Sequence, residues 1–394
     1  MPGLKVRIGL ERLLADPPSI LGGARFGLVM NQASVDSRLR YACDVLAERF
    51  TGQLASLFSP QHGLWCEEQD NMIETGHSTY EPLGVPIHSL YSETRRPTPE
   101  MLAGLDILLV DLQDVGTRVY TFIWTLTHCM EACAEAGIPV IVLDRPNPLG
   151  GEICEGPILE PGFSSFIGLA SIPMRHALTI GEIALLVNDM LHIGADVQVV
   201  PMQGWTRDMY FPDTGCPWVA PSPNMPRMKT AVVYPGQVLV EGTMLSEGRG
   251  TTAPFEVVGA PYIQPEHLAR ALSEYATPGL TIRPVRFLPT FNKWADTSCG
   301  GVALHYTDVT AVRSYTTTVA LFACLRELYP EEFTWLSPPY EYEATLMPID
   351  ILSGSSRLRE TLDTGTTGPS DVAQLADLDA DPWWERVRPH LLYR

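Results

Sequence analysis

The sequence predicts an α/β fold, a parallel sheet covered by helices on both faces, followed by a smaller α+β domain. Three observations carry this expectation. Short apolar runs alternate with longer amphipathic ones through the first half, and parallel neighbours need the crossover that a helix supplies. Runs such as Ile107-Leu-Leu-Val110 are continuously apolar, as strands buried on both faces are. Around Trp205 the texture changes. Pro212, Pro217, Pro221, Pro223 and Pro226 crowd into a stretch too rich in proline for a regular element. A boundary there divides the chain into an α/β domain over 1–205 and an α+β domain over 206–394.

Taken in order, Arg25–Met30 reads as a buried strand ending at Asn31. Arg38–Phe50 carries Leu39, Ala42, Val45, Leu46 and Phe50 at helical spacing. Leu54–Phe58 is a second strand and runs into Ser59-Pro-Gln-His-Gly63. After a polar loop come an apolar run at Pro86–Tyr91 and a short helix near Pro99. Asp106–Asp111 is the clearest strand, followed by a helix from about Tyr120 to Gly137 and a strand at Pro139–Leu143. Thr179-Ile-Gly-Glu182 is a capping box that opens a helix to about His192, and Asp196–Val200 completes the strands of the first half. Beyond the prolines, Ala231–Tyr234, Gln237–Val240 and Val302–Tyr306 read as strands, with helices near Pro265–Tyr275 and Thr316–Leu328.

Composition narrows the function. The chain has 394 residues, with 27 Lys and Arg against 46 Asp and Glu, a formal charge of −19. Such a chain repels phosphate backbones and anionic lipid, so nucleic-acid and membrane-surface partners are not expected. No stretch reaches the ~20 apolar residues of a membrane span. The N-terminus lacks an apolar segment before a small-residue cleavage site, so no signal peptide is expected. The eight cysteines are scattered singly without C-x-x-C pairs, the pattern of reduced thiols in a cytoplasmic protein.

In an open parallel sheet, ligands bind outside the carboxyl ends of the strands. The first strand delivers Asn31, the second Gln61 and His62. The strand at 106–111 delivers Asp111, Gln113, Asp114 and Arg118, and the next delivers Asp144, Arg145 and Asn147. Strand-terminal Asp and Asn also cap helices, but so many polar groups on one sheet edge point to a site. No G-x-G-x-x-G follows the first strand and no P-loop lysine motif occurs, so no nucleotide cofactor is expected; Gly248-Arg-Gly250 reads as a turn. His128, Cys129 and Cys133 lack a second ligand pair, and His62, His77 and His88 lack metallohydrolase spacing, so no metal is expected. Carboxylate chemistry is left. Glycoside hydrolysis uses two carboxyl groups, one protonated and one ionised. The candidates are Glu67, Glu68, Asp111, Asp114, Asp144, Glu241 and Glu247, with Trp65, Tyr120, Trp124, Trp205 and Trp218 able to stack on a sugar.

Motifs along nearly the whole chain then carry a resemblance. They are Gly27-Leu-Val-Met-Asn-Gln-Ala33, Ser59-Pro-Gln-His-Gly63, Val110-Asp-Leu-Gln-Asp-Val-Gly-Thr-Arg118 and Val142-Leu-Asp-Arg-Pro-Asn-Pro148 in the first half. Gly204-Trp-Thr-Arg-Asp208, Pro221-Ser-Pro-Asn-Met-Pro226, Glu241-Gly-Thr243, Gly248-Arg-Gly250 and Leu391-Leu-Tyr393 follow. In these the chain resembles the bacterial exo-acting β-N-acetylmuramidases, glycoside hydrolase family 171. The resemblance implies a Rossmann-like domain without a dinucleotide, a C-terminal domain closing a cleft, and release of terminal N-acetylmuramic acid from peptidoglycan fragments during cell-wall recycling. The implied substrate is a small oligosaccharide or muropeptide.

The family's candidate acid is the Glu of a Pro-Glu-His-Gly segment, and here Gln61 stands in its place. A carboxamide donates no proton to a leaving oxygen, and losing a general acid costs about 10²–10⁴-fold. Three outcomes are open: a neighbouring carboxylate, Glu68 or Glu67, takes over; the substrate is a different amino sugar; or the protein binds sugar without cutting it. The expected catalytic set is Glu68, Asp114, His62 and Asp111. Asn31, Gln61, Gln113, Tyr120, Asp144, Asn147, Asn224 and Glu241 are expected to bind substrate, with Arg118, Arg145 and Arg249 pairing with the lactyl carboxylate of muramic acid.

Overall fold

The computed structural model describes residues 6–70, 72–365 and 367–394. The apolar runs of the first half fold as β1 (Phe26–Met30), β2 (Leu54–Ser59), β3 (Ser78–Tyr80), β4 (Val85–Ser89), β5 (Ile107–Asp111) and β6 (Val140–Leu143). Two short strands, β7 (Glu155–Ile158) and β8 (Pro173–Arg175), pair with each other, and β9 (Val197–Val200) closes the main sheet. Its order is β3-β4-β2-β1-β5-β6-β9, parallel throughout except where β3 meets β4.

The continuous apolar runs have a simple consequence. Successive side chains of a strand point to opposite faces. Leu108 and Val110 of β5 therefore join one core, while Ile107 and Leu109 join the other. The helices α1 (Gly9–Ala15), α2 (Ala42–Arg49), α3 (Pro99–Leu102), α4 (Phe122–Ala136) and α5 (Ile180–Met190) cover the faces. α4 stops at Gly137, whose φ of 69° is the left-handed cap that a side chain disfavours. α5 starts on the capping box read from the sequence: the Thr179 hydroxyl accepts from the Glu182 N–H and the Glu182 carboxylate from the Thr179 N–H. From β1 the chain winds outward through β2 to β4, then returns to place β5 on the other side of β1. That reversal opens a crevice beyond the carboxyl ends of these strands.

The prolines of 212–226 hold an irregular segment after the short α6 (Phe211–Thr214). The runs Ala231–Tyr234 and Gln237–Val240, expected as strands, are helical instead. They form α7 (Met228–Gln237) and a 3₁₀ turn over Val238–Gly242. Every residue from Thr230 to Gly242 is buried, and a short apolar run buried all round has no periodicity to separate helix from strand. Beyond lie β10 (Val257–Ala260), α8 (Pro265–Leu272), β11 (Leu280–Phe287) and β12 (Cys299–Tyr306). The three strands pair antiparallel in the order β10-β12-β11.

The chain ends in further helices, beginning with α9 (Ser314–Leu328) and α10 (Pro348–Ser353). α7 crosses α9 so closely that a Cβ on Gly236 would overlap the Ser314 carbonyl, while the Gly236 N–H donates to the Ser314 hydroxyl at 3.1 Å. One core is continuous from the α4 face of the large sheet into α7 and α9. Among the described residues no helix is long and apolar enough to cross a membrane.

Candidate active site

β2 runs out into Pro60-Gln61-His62-Gly63, where His62 and Gly63 adopt positive φ of 72° and 79°. The bend carries Gln61 and His62 to the wall of a narrow pocket. Tyr120 and Thr121, at the start of α4, form the wall beyond β5. The second half supplies the rest. Asn224 comes from the proline-rich segment, Glu241 from the 3₁₀ turn after α7, Arg249 from between Gly248 and Gly250, and Glu341 from the loop before α10. Gly248 and Gly250 have φ of 80° and 75°, so Gly248-Arg-Gly250 is the tight turn the sequence suggests, and it delivers a guanidinium into the pocket.

The two carboxyl groups of the pocket, Glu341 and Glu241, have different partners. Glu341 is 3% exposed. Burial, reinforced by the negative charge of Glu241, pushes its carboxyl up to about 7, against the pull of the Tyr91 hydroxyl, Arg249 and Arg95. Glu241 is ion-paired: its Oε1 accepts from Arg249 Nη2 at 2.8 Å and its Oε2 from the Tyr340 hydroxyl at 2.5 Å. Burial works against the charge of Arg249, yet Glu241 and Glu247 together hold its pKa above the ordinary value. Glu247 is shared with Lys293, whose Nζ lies 3.0 Å from Oε2. Burial, with Arg249 beside it, pushes His62 down to about 4, so the ring is neutral near pH 7. Its Nδ1–H donates to the Glu68 carbonyl at 2.8 Å, which leaves Nε2 as the acceptor. One carboxyl that holds its proton up to about pH 7, one ion-paired carboxyl group and a neutral imidazole thus meet in one hollow. That arrangement suits acid-assisted cleavage of an acetal.

Of the residues expected from the sequence, the structure brings Gln61, His62, Tyr120, Asn224, Glu241 and Arg249 to this pocket. The others lie outside it, for identifiable reasons. Asp111 and Arg145 bind each other bidentately at 2.6 and 2.8 Å, both buried, so neither is free for substrate. Asp144 accepts from Thr179, Gly181 and Tyr393 and ties the C-terminus to α5. Burial pushes its carboxyl up to about 7, with Tyr393 opposing. Arg118 is fully buried and donates to the carbonyls of Pro157, Ile172 and Leu352, a bracket between segments and not an anion site. Gln113 bonds the Asp114 and Pro146 carbonyls, and Asn147 bridges Leu178 and Leu149. Asn31 donates to the Pro221 carbonyl, fastening the proline-rich segment to the sheet.

Asp114 accepts from the Gly116 N–H at 2.7 Å and faces buried His176 at 3.3 Å, behind the wall. Glu68 touches the site only through the carbonyl that orients His62; neither its carboxyl nor that of exposed Glu67 lines the pocket. Among the aromatic candidates, Trp124 and Trp205 are buried, and Trp65 is exposed beside Tyr41. Sequence reasoning missed Glu341, Tyr91 and Thr121. The available signal was Pro338-Pro-Tyr-Glu-Tyr-Glu343, where acids alternate with aromatic residues after a double proline.

Comparisons with known proteins agree with this architecture. The family model described as "Exo-beta-N-acetylmuramidase NamZ, N-terminal" matches residues 26–229, and its C-terminal counterpart matches 232–393. The chain is 46% identical over 363 residues to the peptidoglycan beta-N-acetylmuramidase NamZ of Bacillus subtilis (strain 168), covering 92% of this chain and 86% of that protein. Two crystal structures of DUF1343 family proteins from Bacteroides fragilis NCTC 9343 are similar throughout. One has a TM-score of 0.88 at 32% identity over 100% of both chains, the other 0.73 at 28% over 99% of each. With both family models matched in order and a relative this similar along nearly its whole length, the chain belongs to the exo-β-N-acetylmuramidase family.

Proposed function

We propose that the protein is a glycosidase that removes N-acetylmuramic acid from the non-reducing end of peptidoglycan fragments, with Glu341 as its proton donor. The observation that carries this reading is the pair Glu341 and Glu241 in one buried pocket, the first protonated near neutrality and the second paired with Arg249. Glu341 gives its proton to the glycosidic oxygen as the bond to the anomeric carbon breaks. The leaving sugar departs as a neutral alcohol, water supplies the oxygen that ends on the anomeric carbon, and the proton that water gives up restores the carboxyl of Glu341. Positive charge developing on the ring is stabilised by Glu241, whose own oxygens stay held by Arg249 and Tyr340. His62, through Nε2, and Asn224 bind sugar hydroxyl or amide groups. The wall formed by Gln61 at the position of the family's candidate acid does not leave the pocket without an acid, because Glu341 lines the same hollow. All eight cysteines are free thiols, which supports a reducing, cytoplasmic setting and hence a role in recycling of fragments.

A chromogenic aryl β-N-acetylmuramide tests the proposal. The wild-type protein is expected to release N-acetylmuramic acid, and Glu341→Gln to lose about 10²–10⁴-fold in kcat while still binding the free sugar. A wild-type protein that binds the muramide without turnover, or a Glu341→Gln variant of full activity, refutes it.

A further inference from the structure

Gln61 sits at the head of a chain of hydrogen bonds that ends on Glu341. The Thr121 hydroxyl donates to Gln61 Oε1 at 2.7 Å, Gln61 Nε2 donates to the Tyr91 hydroxyl at 3.2 Å, and the Tyr91 hydroxyl donates to Glu341 Oε2 at 3.3 Å. The hydrogen-bond network assigns the direction of the amide. An O–H···O bond has its mode near 2.7–2.8 Å and an N–H···O bond reaches 3.2 Å. As assigned, the amide offers its oxygen to the Thr121 hydroxyl and its N–H to the Tyr91 hydroxyl, each within the usual range for its donor. An amide nitrogen has no lone pair to offer, so Tyr91 cannot donate to Gln61. The carboxyl within its reach is Glu341, with the Tyr342 hydroxyl as a further neighbour.

We propose that Gln61 is a positioning residue: through Tyr91 it holds a donor on Glu341 Oε2, so that the acid's own proton is carried on Oε1, the oxygen free to meet substrate. No hydrogen bond from a described residue reaches Oε1, and Glu341 lines the pocket. The chain is packed at its middle. Arg95 lies between the rings of Tyr91 and Tyr342, at 4.3 and 4.2 Å from their centroids. A glutamate at 61 would be an acceptor only; it would draw the Tyr91 proton toward itself and take the donor from Oε2. The charged and titratable groups facing Glu341 are Glu241, Arg249 and Tyr340 across the pocket, Tyr234 from α7, Tyr91 and Arg95 after β4, and Tyr342 beside it. His62 lines the same hollow.

The inference rests on Glu341 as proton donor, and the experiment separates the two. In the full-length protein, kcat and KM for the aryl muramide are measured against pH for Gln61→Glu, Gln61→Met, Tyr91→Phe and the double variant Gln61→Met/Tyr91→Phe. Both Gln61 variants are expected to lose roughly tenfold in kcat with KM little changed. Their alkaline limb should move to higher pH, because a donor to the ionised form of Glu341 is weakened or lost. Tyr91→Phe should do the same, and adding Gln61→Met to it should change nothing more, since Gln61 acts through that hydroxyl. Independent, additive losses, an unmoved pH limb, or a gain of activity in Gln61→Glu would overturn the role of Gln61 while leaving Glu341 in place. Full activity in Glu341→Gln would instead remove the foundation, whatever the Gln61 variants do.

Discussion

The raised pKa of Glu341 ties activity to stability in a way that one substitution can expose. Its ordinary value is 4.5 and the folded value is about 7. A carboxyl at 4.5 would be about 0.3% protonated at pH 7, whereas one at 7 is about half protonated, so burial supplies a gain of roughly 150-fold in the reactive form. The same shift weakens the fold. The folded protein holds this proton more tightly than the unfolded chain does. The contribution of this group to stability is therefore greatest below pH 4.5, declines as pH rises from 4.5 to about 7, and stays level above, where its deficit is about 3 kcal/mol at 1.4 kcal/mol per pH unit. Glu341→Gln removes the ionisation and keeps an oxygen for the Tyr91 hydroxyl. The variant is expected to be inactive and yet melt a few degrees higher than wild type at pH 8, with the two nearly equal at pH 4.5. Thermal unfolding at the two pH values, beside kcat/KM from pH 5 to 9, provides the assay. Wild-type kcat/KM should fall about tenfold per pH unit above 7. A variant that is no more stable at pH 8, or a wild-type profile flat through pH 8, refutes the assignment of this proton to Glu341.

Other substitutions test the scaffold and the remaining wall. Asp111→Ala leaves the buried Arg145 guanidinium without its bidentate partner and should cost about 3–5 kcal/mol in urea unfolding. Tyr393→Phe removes the hydroxyl that donates to Asp144 and accepts from the Met202 N–H; a loss of about 1–3 kcal/mol is expected, with KM unchanged. Gly236→Ala drives a Cβ into the Ser314 backbone where α7 crosses α9 and should destabilise by about 1–3 kcal/mol. His62, held neutral down to about pH 4 by burial and Arg249, should contribute no limb to kcat/KM between pH 5 and 8. NMR titration of its ring protons would show a midpoint well below 6.5.

The parts of this protein that could be read from its sequence are those set by neighbours a few residues apart. β1 and β5 are runs of bulky apolar residues that only a doubly buried strand accommodates, and α5 announces its first turn by Thr179 and Glu182. Ala231–Val240 misled because a helix buried on all sides shows no polar face. The polar residues at the strand ends were expected to form one site, but their division of labour was hidden. Asp111 and Asp144 look as reactive on paper as Glu341, and only the position of Arg145 or of Tyr393, 249 residues from Asp144, turns them into fastenings.

The pocket shows the same division from the other side. Gln61 and Glu341 are 280 positions apart in the chain, and Tyr91, which bonds both, belongs to neither segment. Local sequence by itself determined the strands, the helix caps, the acidic surface and the family motifs, since backbone hydrogen bonding, apolar periodicity and net charge act through nearby residues or simple sums. Only the tertiary structure decided which carboxyl keeps a proton, because a pKa depends on burial and on charges brought within a few ångströms by the fold.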